Sequence, residues 1–165
     1  VIRPENPKYS VALVESAVAA SAHHLVIFNN NPNFRINILA IALGMSSTAA
    51  VTGFAMNYRV QKVSSPGAGG TALTPMPLDS RYGSLPPNIT IWSKPTTAPT
   101  LVGAVMFCIT SSPEDAGVGG VFSVLDLSKI GPLRLYNGEG ITIRQYATTG
   151  AGAVNISVIF ELEPI

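Results

Sequence analysis

His23 and His24 are the chain's two histidines, and they are adjacent. Neighbouring side chains on a strand point to opposite faces, so this pair is unable to chelate one ion together. A cupin-type centre needs several histidines on neighbouring strands, which the count excludes. Both rings are therefore expected to be structural, with no metal bound. Cys108 is the single cysteine, so no intramolecular disulfide is possible. It sits in an apolar run over residues 101–109, and a reactive thiol needs an accessible, electropositive setting; a small buried apolar residue is expected. Serine hydrolysis would call for a Gly-x-Ser-x-Gly elbow, and there is none. The carboxylates that might pair for glycosidic cleavage are Glu114, Asp115, Asp126, Glu139, Glu161 and Glu163. The first two lie in a turn beside Pro113, and the last two share a water-facing strand parity where charge serves solvation. Gly67-Ala68-Gly69-Gly70-Thr71 has the glycines of a phosphate loop but lacks its lysine and the helix that should follow. Asn88-Ile89-Thr90 and Asn155-Ile156-Ser157 match the glycosylation acceptor pattern by chance, the second inside a strand. The chain is therefore expected to be no enzyme and to carry no cofactor.

Recognition through aromatic side chains is the other chemistry available. Tyr82, Trp92, Tyr136 and Tyr146 are the residues from which a sugar-stacking platform would be built, with Tyr82 and Trp92 the candidate surface contacts. Scattered aromatics in a β-domain more often serve a core or an interface.

The elements that must carry these residues are strands. Fifteen glycines and 13 prolines divide the sequence into short apolar segments, the pattern of a many-stranded all-β domain. Val154, Ile156, Val158, Phe160 and Leu162 alternate with polar residues, apart from Ile159, so one face meets a core and the other water. Phe54, Met56, Tyr58 and Val60 alternate likewise, and residues 141–144 repeat the rule. Residues 34–38 begin as an alternating strand, after which Leu39, Ile41 and Leu43 carry the apolar parity. This requires a bulge or a strand end covered on both faces. The run 101–109, apolar on both parities, predicts a central strand between layers, with some cover available from a neighbouring subunit. Residues 24–28, 89–92 and 121–127 are further strands. Residues 11–20 are ambiguous between helix and strand, with the valines favouring strand. Residues 75–99 read as a long loop wrapped over the sandwich with a short strand inside it. The total is about eight or nine strands in an antiparallel, jelly-roll-like β-sandwich.

At 165 residues the chain has room for one ordinary domain, and Lys plus Arg exceed Asp plus Glu by only one. That balance offers no strong field for nucleic acid or an anionic membrane surface. The apolar runs are too short to span a bilayer as helices, and residues 1–7 lack the pattern of a secretory signal. Only 12% of the residues are charged while 47% are hydrophobic, so much of the outside must be small, polar-neutral or apolar. Such surfaces are usually covered in an oligomer. Residues 1–9 have two prolines and no periodicity, and are expected to form an extended arm. In it Val1, Ile2, Arg3, Pro4, Lys8 and Tyr9 are candidate contacts with a neighbouring subunit or shell. Residues 10–165 form the single β-sandwich domain, which should stay folded when the arm is deleted.

The order of landmarks resembles a known family. The strand His24-Leu25-Val26-Ile27-Phe28-Asn29, a turn and a second apolar strand are similar to the opening of small structural proteins of tailed bacteriophages. Residues 69–79, Gly-Gly-Thr-Ala-Leu-Thr-Pro-Met-Pro-Leu-Asp, resemble a loop of those proteins. Leu135-Tyr136-Asn137-Gly138-Glu139-Gly140-Ile141-Thr142-Ile143-Arg144 resembles their closing hairpin. The resemblance is to the capsid decoration, or cement, proteins. It implies a jelly-roll-like sandwich, commonly a homotrimer, that binds the major capsid protein on the outer surface of an icosahedral head and ties capsomers together. It carries no catalytic residue over. A receptor- or carbohydrate-binding module of a viral fibre or spike would share the fold and is the alternative.

Overall fold

The alternation at the end of the chain produces a 12-residue strand, Ala153–Pro164, whose even-numbered apolar residues from Val154 to Leu162 are all buried. The computed structural model describes residues 5–45, 56–111, 122–146 and 152–165, and among them there is no helix. The strands are β1 (Lys8–Ala17), β2 (His23–Asn29), β3 (Phe34–Met45), β4 (Met56–Ser65), β5 (Thr71–Ala72), β6 (Met76–Pro77), β7 (Ile89–Ser93), β8 (Thr100–Ser111), β9 (Phe122–Asp126), β10 (Leu133–Leu135), β11 (Glu139–Gln145) and β12 (Ala153–Pro164). These are 12 strands rather than eight or nine, the excess being mainly the short β5, β6 and β10, whose two or three residues are too few to show a period.

The strands form two antiparallel sheets. The first runs β10-β3-β12-β1-β6, with β9 also pairing β3; the second runs β5-β7-β2-β11-β4-β8. With the short inserted strands β5 to β7 set aside, the orders are β1-β12-β3-β9/β10 and β2-β11-β4-β8. This is the strand order of a jelly roll, two packed antiparallel sheets between which the chain crosses repeatedly, with β4 and β8 adjacent in the same sheet. The core is the shared interior: Val11, Leu13, Ile36, Ile41, Val158 and Phe160 from the first sheet meet Leu25, Ile27, Tyr58, Val60, Ile141 and Ile143 from the second.

The change of parity in β3 is a bulge. Phe160 pairs with Ile38 and Ile159 with Ala40, which leaves Leu39 as the extra residue. Its carbonyl turns outward to accept from the Leu127 amide at 2.8 Å. Ile36 and Ile38 before it, and Ile41 and Leu43 after it, therefore all point inward and are fully buried. Residues 11–17, ambiguous in the sequence, belong to strand β1, which lies between β12 and β6. The predicted alternation from Phe54 begins outside the described residues, but Tyr58 and Val60 are both fully buried.

The end of the expected arm, Lys8 and Tyr9, belongs to β1. Val1, Ile2, Arg3 and Pro4 lie outside the described residues. Lys8 and Tyr9 open β1 opposite Glu161 and Phe160. Tyr9 is 3% exposed, with its ring stacked on Phe160. The prolines that break the sequence period at Pro4 and Pro7 hide the fact that the strand has already begun by Lys8. Residues 75–88 wrap round this strand as the sequence suggests: Leu78 donates to the Lys8 carbonyl, and Tyr9 Oη donates to the Gly83 carbonyl at 3.1 Å.

Candidate functional site

The two histidines, expected to be structural, face opposite sides of β2. His23 Nδ1 lies 2.8 Å from Thr142 Oγ1, whereas His24 turns inward, its Nδ1 2.8 Å from Ser16 Oγ and its Nε2 3.1 Å from Gln145 Oε1. The Gln145 oxygen also accepts from the Ala19 amide, so His24 must donate through Nε2 and accept the Ser16 proton at Nδ1. A hydroxyl, an imidazole and a third group stand in line, but the third group is a neutral amide and the serine is buried. Burial pushes the His24 pKa down to about 4, which makes it a poor base at neutral pH. His24 joins the two sheets as a satisfied internal polar group.

Glu161 and Glu163, expected to be merely solvated, are tied to their neighbours. Arg35 grips Glu163 through both Nε and Nη2, and Asn37 Nδ2 donates to Glu161 and Glu163 at 2.8 and 2.7 Å. The Arg35 and Asn37 bonds hold the Glu163 carboxyl below its ordinary range. Glu114, Asp115 and Pro113 lie outside the described residues. Among the described residues, no three His, Cys, Asp or Glu side chains gather to hold a metal ion.

The two aromatic contact candidates are engaged within the chain. Trp92 Nε1 donates to the Pro66 carbonyl at 2.9 Å, and its ring packs so closely on Gly70 that a Cβ there would lie 2.7 Å from it. Tyr82 Oη donates to the Glu5 carbonyl at 2.8 Å. Tyr136 and Tyr146 are more open, and each lies under an arginine, Arg35 and Arg59 respectively. The glycine-rich turn at Gly67 is a loop brace, with Ala68 and Thr97 exchanging backbone hydrogen bonds.

What remains is a flank of the sandwich. Strand β8, predicted to be central, is the outermost strand of the second sheet. An apolar run on both parities needs cover on both faces, and the described chain leaves much of that cover missing. Val102 is 46% exposed, Gly103 and Ala104 are exposed, and Cys108, expected to be buried, is exposed. Against β8 across the sandwich lies β9, whose Val124 is also exposed. Between the two sheets on this side Met106, Phe107 and Ile109 of β8, Leu125 of β9 and Leu133 of β10 are only partly buried, and they form the open margin of the core.

The β8 edge also has an unusual backbone. Val60 pairs with Phe107 and Lys62 with Val102, so residues 103–106 stand opposite Gln61 alone. Gly103 adopts φ +71°, a conformation natural to glycine, and its carbonyl accepts from Gln61 Nε2 at 2.8 Å. Such a bulge interrupts an edge, but beyond it 107–111 runs on regularly against β4, and among the described residues no strand pairs with its outer side. No residue of β8 is charged and none is proline, the two devices that usually blunt an edge. The other edges among the described residues are β5, β6 and β10, of two or three residues, the five-residue β9, and the part of β1 beyond Ser10, which carries the charged Glu15. Among the described residues, only β8 joins length, neutrality and exposed apolar side chains. Comparison with protein-family models, with curated proteins and with solved structures finds no match to this chain.

Proposed function

We propose that this protein is a non-enzymatic structural protein of a virus particle, a decoration protein that sits as a homotrimer on the outer surface of an icosahedral phage head. There it contacts the major capsid protein and stabilises the joints between capsomers. The observation that carries this proposal is the uncharged β8 flank, where a long edge strand and the margin of the core stand open. Apolar surface of this kind gains about 1 kcal/mol for each ~40 Å² covered, which favours a lasting interface over a passing encounter. The jelly-roll strand order adds support, since it is the architecture that the sequence resemblance implies. Binding to the assembled lattice alone stabilises that lattice by mass action, and a trimer multiplies each weak contact threefold. The fibre or spike alternative draws less support, because the polar atoms of Tyr82 and Trp92 are bonded within the chain.

The test is to mix the purified protein with expanded heads that lack it. The protein should have a solution mass of three times 17.2 kDa, co-sediment with the heads and raise their disruption temperature. A monodisperse monomer that leaves the heads unchanged would refute the proposal.

A further inference from the structure

Beside the neutral β8 edge the outer face of the second sheet carries positive charge with no ion-pair partner among the described residues. The registers Cys108↔Arg59, Arg59↔Arg144 and Arg144↔His23 set these four residues in one row across β8, β4, β11 and β2. Directly opposite residues of an antiparallel pair share a face with Cβ atoms about 4.5–5.5 Å apart, and like charges placed so repel. The two guanidinium groups are such a pair. The ion pairs of the described residues are Arg35–Glu163, Lys62–Glu139, Arg81–Asp79 and Lys129–Asp126, and they include neither Arg59 nor Arg144. Arg144 Nε is moreover buried without a hydrogen-bond acceptor. Arg59 lies 3.5 Å from the Tyr146 ring centroid. Stacking fixes the plane of its guanidinium while leaving the N–H groups on its rim free to donate.

We infer that the Arg59–Arg144 pair is a docking point for carboxylate side chains of the protein that covers β8, a partner presenting an apolar ridge flanked by Asp or Glu. The inference rests on the assembly role proposed above and assigns the chemistry of the partner at that surface. Charge complementarity specifies this partner. An uncharged strand selects apolar contact but no orientation, and two neighbouring forked cations fix the register by paired hydrogen bonds to carboxylates.

Hexaglutamate is the probe, with hexaserine and inorganic phosphate as comparisons, titrated into the whole protein while the Tyr146 ring and arginine Nε–H resonances are followed. Hexaglutamate should bind saturably with Kd in the range of about 0.1–1 mM at low salt, more weakly as NaCl rises, and hexaserine should not bind. Arg59→Gln and Arg144→Gln should each weaken it by about threefold or more. The unliganded Arg144→Gln protein should melt at an unchanged or higher temperature, by ~1–3 °C, because a repulsion has been removed. A structural arginine would show the opposite. Absence of saturable binding, equal binding by the variants, tighter binding of phosphate than of hexaglutamate, or a lowered melting temperature for Arg144→Gln would each overturn the inference. No heads enter this titration, so its failure is distinct from failure of head attachment.

Discussion

Ser16 on β1 gives its hydroxyl proton to Nδ1 of His24 on β2, a 2.8 Å hydrogen bond that joins the two sheets from within. The imidazole is completely buried, and the Tyr58 ring lies against it at 5.8 Å. Desolvation is the main cause of its pKa of about 4; the Gln145 bond opposes the fall, and the Lys94 and His23 charges add to it. In the unfolded chain the same group titrates near 6.5. Between these values the unfolded chain binds the proton that the folded one refuses, so the contribution to stability is full above about pH 6.5 and is lost as pH falls toward 4. A gap of this size corresponds to about 3 kcal/mol. His23 shifts in the same direction, through burial and Arg144. Urea unfolding at pH 7 and pH 4.5 should show the loss in wild type and a clearly smaller loss in His24→Asn. Equal losses in the two proteins would count against it.

Tyr9 is a core residue at the start of β1, its ring centroid 5.7 Å from that of Phe160 with the planes 19° apart. Tyr9→Ala should cost about 3–5 kcal/mol, the usual range for removing a buried aromatic ring. A deletion of residues 1–9 should therefore destabilise the domain instead of leaving it intact. A loss below about 1 kcal/mol in denaturant unfolding would place the ring outside the core.

Gly140 pairs with both Phe28 and Val63 in the middle of the second sheet. A Cβ there would lie 2.5 Å from the Ile27 carbonyl oxygen and 2.7 Å from the Phe28 ring. The carbonyl belongs to a backbone that the sheet holds in place, so Gly140→Ala should destabilise by about 1–3 kcal/mol through overpacking. Thermal melting of the variant provides the measurement, and an unchanged midpoint would show that β2 yields.

Cys108 is exposed on β8. In dilute protein held as a monomer its thiol should react with an aromatic disulfide reagent without prior unfolding. In the assembly proposed above, with β8 covered, the reaction should slow by at least about tenfold, as expected for a site that reacts only on dissociation. The same rate in both forms would locate the interface elsewhere.

The alternation at the end of the chain was legible, whereas in residues 141–144 the expected water-facing Thr142 is buried. Period two in residues 154–162 needs one buried face, and β12 has it; the parity change after Ile38 needs an extra residue, and Leu39 supplies it. The run 101–109 shows the limit of hydropathy. Apolar residues on both parities declare that two faces need cover, and they are silent about whether the cover is the same chain or another molecule. A central position and an open edge therefore read alike, and so do a buried and an exposed Cys108. The Arg59–Arg144 pair was hidden for a different reason: the two residues are 85 positions apart, and only the register of β4 on β11 makes them neighbours. Tyr9 was missed because Pro4 and Pro7 just before it read as an extended arm, although Tyr9, Val11 and Leu13 are the buried alternation of β1.

In the first sheet β12 lies between β1 and β3, so β1 is zipped to a strand made more than 130 residues after it. While a ribosome is still translating residues 153–164, β1 has only the two-residue β6 to pair with, and the inward side of β3 lacks its neighbour. The nascent chain must therefore carry Val11, Leu13, Ile41 and Leu43 unsheltered until synthesis has passed Pro164, and chain closure over such a span is slow. Production of this protein should depend strongly on temperature and on chaperones that hold emerging chains, since an open β8 offers one newborn copy a template for the next.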